Sequence, residues 1–178
     1  MDKIKLYDRQ FTLSILPSQI REAVARIASE INRDLAGETP LFLGILNGSF
    51  MFMSDLLKHI GMSCHVSFVR LSSYQGSSST GTIREIIGLN EDIRGRQVII
   101  VEDIVDSGKT IEEFTARLMT EEPAGLRIAT LLLKPGSFSG DIRLDYVGFE
   151  IPDDFIVGYG LDYNGLGRNY EGIYRIDR

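Results

Sequence analysis

Three acidic residues stand where an apolar run passes into a loop of small residues. Glu102 and Asp103 directly follow the apolar run 98–101, and Asp106 opens the loop 106–110, of sequence DSGKT. Neighbouring carboxylates suit a cis-diol, whose hydroxyls donate to them, or a magnesium ion. Small residues and the start of a helix suit a phosphate, because backbone amides and the helix dipole meet it there. The segment therefore predicts a site for a sugar phosphate.

A nucleotide-triphosphate P-loop is the alternative interpretation of a Gly-Lys-Thr sequence. That motif requires a glycine five positions before Gly108, where this chain has Asp103. A carboxylate at that position would repel the phosphates, so the spacing argues against a P-loop. A diol beside a single phosphate indicates ribose 5-phosphate instead.

Length and charge limit the classes of protein to consider. The chain has 178 residues, of which 43% are hydrophobic and 25% charged, which predicts a single folded domain over residues 1–178. Its 19 basic and 25 acidic residues give a net charge of −6, which disfavours broad binding to nucleic acid or anionic lipid.

Cysteine and histidine are scarce. Cys64 is the single cysteine and His59 and His65 are the only histidines, which excludes an intramolecular disulfide, a cysteine zinc cluster and a histidine-rich metal site. Oxygen-liganded ions such as Mg²⁺ remain the natural metal candidates. We expect a cytoplasmic protein, because the start lacks an apolar signal region and no apolar run approaches a membrane span.

Buried strands alternate with amphipathic helices along the chain. Helical spacing predicts a helix over 18–36, another over 50–60, and a third after the loop 106–110. Strands are predicted at 41–46, 64–74, 82–87, 98–101, 128–133, 146–150, 155–160 and 171–176. This order predicts an α/β fold with a mostly parallel twisted sheet flanked by helices, and ligands beyond the carboxyl ends of the strands.

The segment VIIVEDIVDSGKT at 98–110 resembles the signature of the phosphoribosyltransferases that use phosphoribosyl pyrophosphate. The resemblance extends to LNGSFMF at 46–52, VRLSSYQGSSSTG at 69–81, LLLKPG at 131–136 and VGFEIPDDFIVGYGLDYN at 147–164. Together these motifs resemble the hypoxanthine (guanine) phosphoribosyltransferases. The resemblance implies the type I phosphoribosyltransferase fold, with a small base-binding hood formed by the N-terminal segment and about 135–178, and a flexible catalytic loop.

The resemblance also implies a reaction. The family transfers the 5-phosphoribosyl group from phosphoribosyl pyrophosphate to N9 of hypoxanthine or guanine, with Mg²⁺ as cofactor, and gives IMP or GMP and pyrophosphate. Asp106 corresponds to the general acid/base at the purine N7, a role that needs a carboxylate held away from bulk water. The implied partners are these small molecules, with neither nucleic acid nor membrane, and the family associates as homodimers or homotetramers.

Residue by residue, the resemblance assigns two binding sets and one metal set. The residues implied for phosphoribosyl pyrophosphate are Glu102, Asp103, Asp106, Ser107, Gly108, Lys109, Thr110, Asn47, Gly48, Ser73, Tyr74 and Arg168. The residues implied for the purine are Lys134 at the 6-oxo group, Phe155 stacking on the base, Ile156 reading its edge through the backbone, and Asp162. The residues implied for the metal are Glu102, Asp103 and Asp162.

Asn47 departs from the family pattern, in which many members carry lysine or arginine in this turn. Amide contacts to pyrophosphate can survive the change, whereas the additional charge is lost. Ser73 and Tyr74 open the polar loop 72–82, which the resemblance identifies as a lid over the reacting ribose.

Three other functions remain open from the sequence. A related transferase could prefer xanthine or guanine, because the contacts that set this preference act partly through backbone. A phosphoribosyl-pyrophosphate-binding regulator could share the fold, and so could a metal-dependent phosphate-binding module without transfer activity.

Overall fold

The computed structural model describes residues 2–73 and 83–177, which form two β-sheets and three helices. In chain order the elements are β1 (Lys3–Leu6), β2 (Arg9–Ile15), α1 (Pro17–Asp34), β3 (Leu41–Leu46), α2 (Phe50–Leu57), β4 (His65–Ser73), β5 (Ile83–Ile87), β6 (Gln97–Val105), α3 (Lys109–Met119), β7 (Gly125–Leu133), β8 (Tyr146–Glu150), β9 (Ile156–Val157) and β10 (Ile173–Ile176).

The larger sheet has six strands in the order β5-β4-β3-β6-β7-β8. Strands β4, β3, β6, β7 and β8 run parallel, and β5 pairs antiparallel with β4 at one edge. The centre of this sheet is buried on both faces, which explains why β3 and β6 read as continuous apolar runs in the sequence.

Successive side chains of the central strands enter two separate cores because a strand alternates its faces. Phe42, Ile99 and Val101 pack in one core with residues of α1 and α2. Leu43 and Ile100 pack in the other core with residues of α3. The helices therefore cover both faces and hold the loops at the strand ends in fixed positions.

The smaller sheet is entirely antiparallel and has the order β1-β2-β10-β9. It joins the two ends of the chain, and its core contains Leu6, Phe11 and Val157. We call these four strands and the segment 158–172 between β9 and β10 the terminal sheet unit.

The expected mostly parallel sheet flanked by helices is confirmed, and several element boundaries differ. The hairpin of β1 and β2 was not predicted, although apolar and polar side chains alternate in Lys3–Leu6 and in residues 11–15. Strand β6 continues to Val105, beyond the predicted end at 101. Of the predicted strand 155–160 only Ile156–Val157 pairs, because tight turns begin at Gly158.

Most of the expected lid, including Tyr74, lies outside the described residues. Within the described ranges, no helix is both long and apolar enough to cross a membrane.

Candidate active site

The topology creates a crevice between the carboxyl ends of β3 and β6. From β3 the chain moves outward to β4, and from β6 it moves outward in the other direction to β7. Loops that leave neighbouring strands in opposite directions open a crevice at the strand ends, which is where open α/β sheets bind ligands. Here the two loops are 47–49 and 106–108.

Glu102 and Asp103 lie within the last part of β6, so the prediction that they follow the strand was wrong in its boundary. The backbone N–H of Asp103 donates to Glu102 Oε1 at 3.2 Å. Burial and the neighbouring Asp103 carboxylate raise the pKa of Glu102 well above its ordinary value. Among the described residues neither carboxylate has an ion pair with lysine or arginine, so this site can accept a cation or diol hydroxyls.

The loop between β6 and α3 borders a cavity of about 140 Å³. Asp106, Ser107, Gly108 and Thr110 line it, together with Glu102 at its base. Gly108 precedes the first residue of α3 and has a φ of 83°, a conformation that favours glycine. Because α3 begins here, the amides of its first turn have no carbonyl partner within the helix and are suited to an anion.

Lys134 and Asp106 form an ion pair at the ends of two neighbouring strands. Lys134 Nζ lies 3.0 Å from Asp106 Oδ2, and the Lys134 backbone N–H donates to the Val105 carbonyl. The lysine side chain is only 12% exposed, whereas that of Asp106 is 54% exposed. Among the described residues, Asp106 therefore lacks the expected separation from bulk water.

Asn47 and Gly48 form the turn after β3, and the Leu46-Asn47 peptide is cis. The Asp103 carboxylate packs so closely on Gly48 that a β-carbon there would collide with it. A β-carbon on Gly160 would likewise collide with the Gly48 carbonyl. These close approaches join the turn, strand β6 and the terminal sheet unit at one point.

Arg168 stands on the terminal sheet unit beside that point. Its Nη1 donates to the Gly160 carbonyl at 2.7 Å, and its Nη2 lies 2.6 Å from Asp162 Oδ1. The other oxygen of Asp162 accepts from the Gly165 backbone N–H at 2.7 Å. Asp162 and Arg168 are thus brought together and hold each other.

Phe155 and Ile156 lie at the start of β9 and differ in exposure. The Phe155 ring is 46% exposed, which leaves an apolar surface open, whereas the Ile156 side chain is buried. The Phe155 carbonyl accepts from the Ile176 backbone N–H, which fixes the strand end. An aromatic residue with a fixed backbone and an accessible ring is suited to stack on a planar ligand.

The predicted residues therefore fall into two groups. The structure brings Glu102, Asp103, Asp106 and Lys134 together with the loop 107–110, and it brings Arg168 and Asp162 together beside the turn 47–48. No cluster of three His, Cys, Asp or Glu residues able to hold one metal ion occurs in the described part of the chain, and the metal role of Glu102, Asp103 and Asp162 stays a prediction. Ser73 ends β4, and Tyr74 lies outside the described residues.

Sequence reasoning missed two contacts that position these groups. The Tyr159 hydroxyl donates to Asp55 Oδ2 at 2.7 Å, which ties the terminal sheet unit to α2. The Ser137 hydroxyl donates to Asp153 Oδ1 at 2.8 Å, which ties the turn after Lys134 to the segment before Phe155. Nothing in the local sequence marks either pair, because the partners lie 104 and 16 residues apart.

Comparison with known proteins shows the family to which the chain belongs. The chain matches the family described as Phosphoribosyl transferase domain over residues 14–164. It is 41% identical over 160 residues to hypoxanthine-guanine phosphoribosyltransferase of Streptococcus pneumoniae, covering 88% of this chain and 89% of that protein. It is also 41% identical over 149 residues to hypoxanthine phosphoribosyltransferase of Escherichia coli, covering 82% of this chain and 84% of that protein.

Solved structures show the same fold. The crystal structure of a hypoxanthine-guanine phosphoribosyltransferase from Bacillus anthracis superposes with a TM-score of 0.89 at 37% identity, covering 93% of this chain and 98% of that chain. The chain therefore belongs to the phosphoribosyltransferase family, in its hypoxanthine-guanine branch.

Proposed function

We propose that this protein transfers the 5-phosphoribosyl group from phosphoribosyl pyrophosphate to N9 of hypoxanthine, and of guanine, as a purine salvage enzyme. The bond from the ribose C1′ to the pyrophosphate oxygen breaks and the bond from C1′ to N9 forms. One observation carries the proposal: the ion pair between Asp106 and Lys134 stands beside the two carboxylates suited to a ribose diol. The names of the relatives support this choice of base.

Asp106 is the proposed acid/base group. A purine that bonds through N9 must release the proton on N7, and a carboxylate within hydrogen-bond reach can take it. Its side chain is half exposed and lines the cavity at the end of β6, and the bound purine would cover it. Substrate binding would then remove this carboxylate from water.

Lys134 is the proposed contact to the 6-oxo group. An ammonium group only donates hydrogen bonds, so it binds an oxo group and discriminates against the exocyclic amine of adenine. Its stem is buried and its Nζ is held by Asp106, so the donor is fixed in position before the base arrives. Phe155 would stack on the same base, and the Ile156 backbone would meet its edge.

Glu102 and Asp103 are the proposed ligands of the ribose hydroxyls, directly or through Mg²⁺. The raised pKa of Glu102 reflects burial and two like charges without a basic partner among the described residues, an environment that a divalent cation would relieve. When bound, Mg²⁺ would supply positive charge to the diol and the leaving pyrophosphate. We propose Asp162 as a separate contact near the base.

The phosphates are assigned to the two loops. Residues 107–110 and the Asp106 backbone would hold the 5′-phosphate through amides and hydroxyls. The backbone amides of Asn47 and Gly48, the Arg168 fork, and Ser73 and Tyr74 of the lid would contact pyrophosphate. Asn47 carries no charge, so more of the charge stabilisation would fall on Arg168 and Mg²⁺.

We infer that residues 1–178 act as a single domain in which the terminal sheet unit is the hood over the base. Its packing against Gly48 through Gly160 supports this arrangement. We also propose self-association into dimers or tetramers, which sedimentation would test, and a cytoplasmic location, consistent with the single cysteine.

Base selectivity tests the proposed function. The protein would be incubated with phosphoribosyl pyrophosphate and Mg²⁺ and, separately, with hypoxanthine, guanine, xanthine or adenine, while nucleotide formation is followed by absorbance. We expect IMP and GMP and no AMP. Product from xanthine and guanine alone would assign the related transferase, and no product from any 6-oxopurine would overturn the proposal.

A further inference from the structure

Four aromatic residues form a continuous contact from the N-terminal hairpin to Phe155. The Tyr163 ring meets the Phe155 ring edge-on, with centroids 5.8 Å apart and planes at 78°. On its other side Tyr163 meets Tyr7 in the same manner, at 5.9 Å and 77°. Phe11, which is fully buried, packs beneath both Phe155 and Tyr163. Edge-on contacts of this kind fix the orientation of one ring relative to the next.

The turn of the hairpin also holds the segment that carries Tyr163. The Tyr163 hydroxyl donates to Asp8 Oδ1 at 3.0 Å, and the Tyr7 hydroxyl donates to the Asn164 carbonyl at 3.1 Å. Tyr7 and Asn164 both have positive φ, of 51° and 50°, a region that residues other than glycine seldom adopt. Such a conformation persists where surrounding contacts hold it, and functional segments often show it.

Tyr163 connects these contacts to two proposed site residues, Phe155 and Asp162. Tyr163 touches Phe155 through space and follows Asp162 directly in the chain, and Asp162 holds Arg168. No hydrogen bond, ion pair or ring contact among the described residues joins Tyr7 or Asp8 to the loop after β6 or to Lys134. The hairpin can therefore influence the base platform without influencing the phosphate loop.

We propose that Tyr163 is a positioning residue for the purine: it transmits the hairpin turn formed by Tyr7 and Asp8 to the Phe155 platform and sets the angle of the ring on which the base stacks. The proposal rests on the proposed function. Its expected consequence is larger for the base than for phosphoribosyl pyrophosphate, because Tyr163 contacts the Phe155 ring directly and is connected to Arg168 only through the neighbouring residue Asp162.

The test compares Tyr163→Leu with Tyr163→Phe in steady-state transfer to hypoxanthine. Tyr163→Leu removes the edge-on contact with the Phe155 ring and is expected to raise the KM for hypoxanthine about 3- to 10-fold. The KM for phosphoribosyl pyrophosphate should change less than about 2-fold, because the contacts of Arg168 with Asp162 and the Gly160 carbonyl do not involve the Tyr163 side chain. Tyr163→Phe keeps the ring and should bring the KM for hypoxanthine back to within about 2-fold of the unmodified protein.

Tyr174→Leu is the matched control. Tyr174 belongs to the same sheet and pairs with Tyr170, with centroids 5.5 Å apart, but it has no ring contact with Phe155 in the described residues. Tyr174→Leu should lower the thermal midpoint of unfolding. It should not raise the KM for hypoxanthine relative to the KM for phosphoribosyl pyrophosphate. Tyr7→Ser provides a second variant that keeps the fold, because the Tyr7 side chain is largely exposed, and it should raise the KM for hypoxanthine about 2-fold.

The outcomes separate this proposal from the one on which it rests. If the unmodified protein makes no nucleotide, the proposed function and the positioning role both fail. If it makes IMP but Tyr163→Leu and Tyr7→Ser change both KM values equally or change neither, the positioning role alone is overturned. If Tyr163→Leu does not fold, the result for Tyr7→Ser decides in the same way.

Discussion

The two halves of the candidate site are built in different ways. The phosphate half is one continuous segment, from Glu102 to Thr110, in which a buried strand passes into a helix. The base half joins Lys134 from β7 with Phe155 from the terminal sheet unit, and its supports come from residues as distant as Asp8 and Asp55. The first half needs only local geometry, whereas the second depends on how the chain ends pack. We therefore expect chemistry to fail when the first is altered and affinity for the base to fail when the second is altered.

The largest expected effect is on the rate and belongs to Asp106. Asp106→Asn keeps the shape of the side chain but removes its ability to accept a proton, so kcat should fall by about 100-fold or more. The thermal midpoint should change little, because the Asp106 side chain is half exposed. Asp141→Asn, at another exposed aspartate, is the control for rate and midpoint. A kcat within 3-fold of the unmodified value, roughly 0.65 kcal/mol in barrier, would remove Asp106 from the chemistry.

The next effect is on affinity for the base. Lys134→Met keeps the buried stem and removes the ammonium donor, so the KM for hypoxanthine should rise about 10-fold or more, as expected for loss of a charged hydrogen bond. The KM for phosphoribosyl pyrophosphate should rise much less. Steady-state kinetics with each substrate varied in turn makes the measurement. Unchanged affinity for hypoxanthine would show that the assignment of Lys134 to the 6-oxo group is wrong.

A smaller effect concerns the link between the terminal sheet unit and α2. Tyr159→Phe removes the hydrogen bond to Asp55 and should lower the free energy of unfolding by about 1–2 kcal/mol, because Tyr159 is buried and Asp55 keeps only its exposed partner Lys58. Urea denaturation measures the change. Tyr174→Phe, whose ring lies in the same sheet, is the control and should be nearly neutral. If Tyr159→Phe is as stable as the unmodified protein, other contacts must join the terminal sheet unit to α2.

The smallest effect lies at the outer edge of the terminal sheet unit. Lys3 and Asp177 form an ion pair with Nζ and Oδ2 2.8 Å apart, and the lysine side chain is largely exposed. Lys3→Ala should lower the free energy of unfolding by at most about 0.5 kcal/mol and leave both KM values unchanged. A rise in the KM for hypoxanthine would mean that the base half extends to the chain ends.

The same contrast explains what the sequence could predict. The loop 106–110 and its acids were recognisable because their chemistry is contained in adjacent residues, and β3 and β8 were predicted with their observed bounds because apolar runs and alternation are local. The alternation of β1 and β2 is visible in the sequence, but their place beside β10 depends on the packing of the two chain ends. The pairing of Tyr159 with Asp55, and of Tyr163 with Asp8, needs the packing of both ends and leaves no local signal.

The proposed transfer reaction is tested most directly by ³¹P NMR of phosphoribosyl pyrophosphate, Mg²⁺ and the protein, recorded before and after hypoxanthine is added. The account predicts that the phosphoribosyl pyrophosphate signals persist until the base is present and then convert in equal amounts to IMP and pyrophosphate. Phosphoribosyl pyrophosphate that stays unchanged with hypoxanthine, or that is hydrolysed to ribose 5-phosphate at the same rate with and without it, would contradict the account.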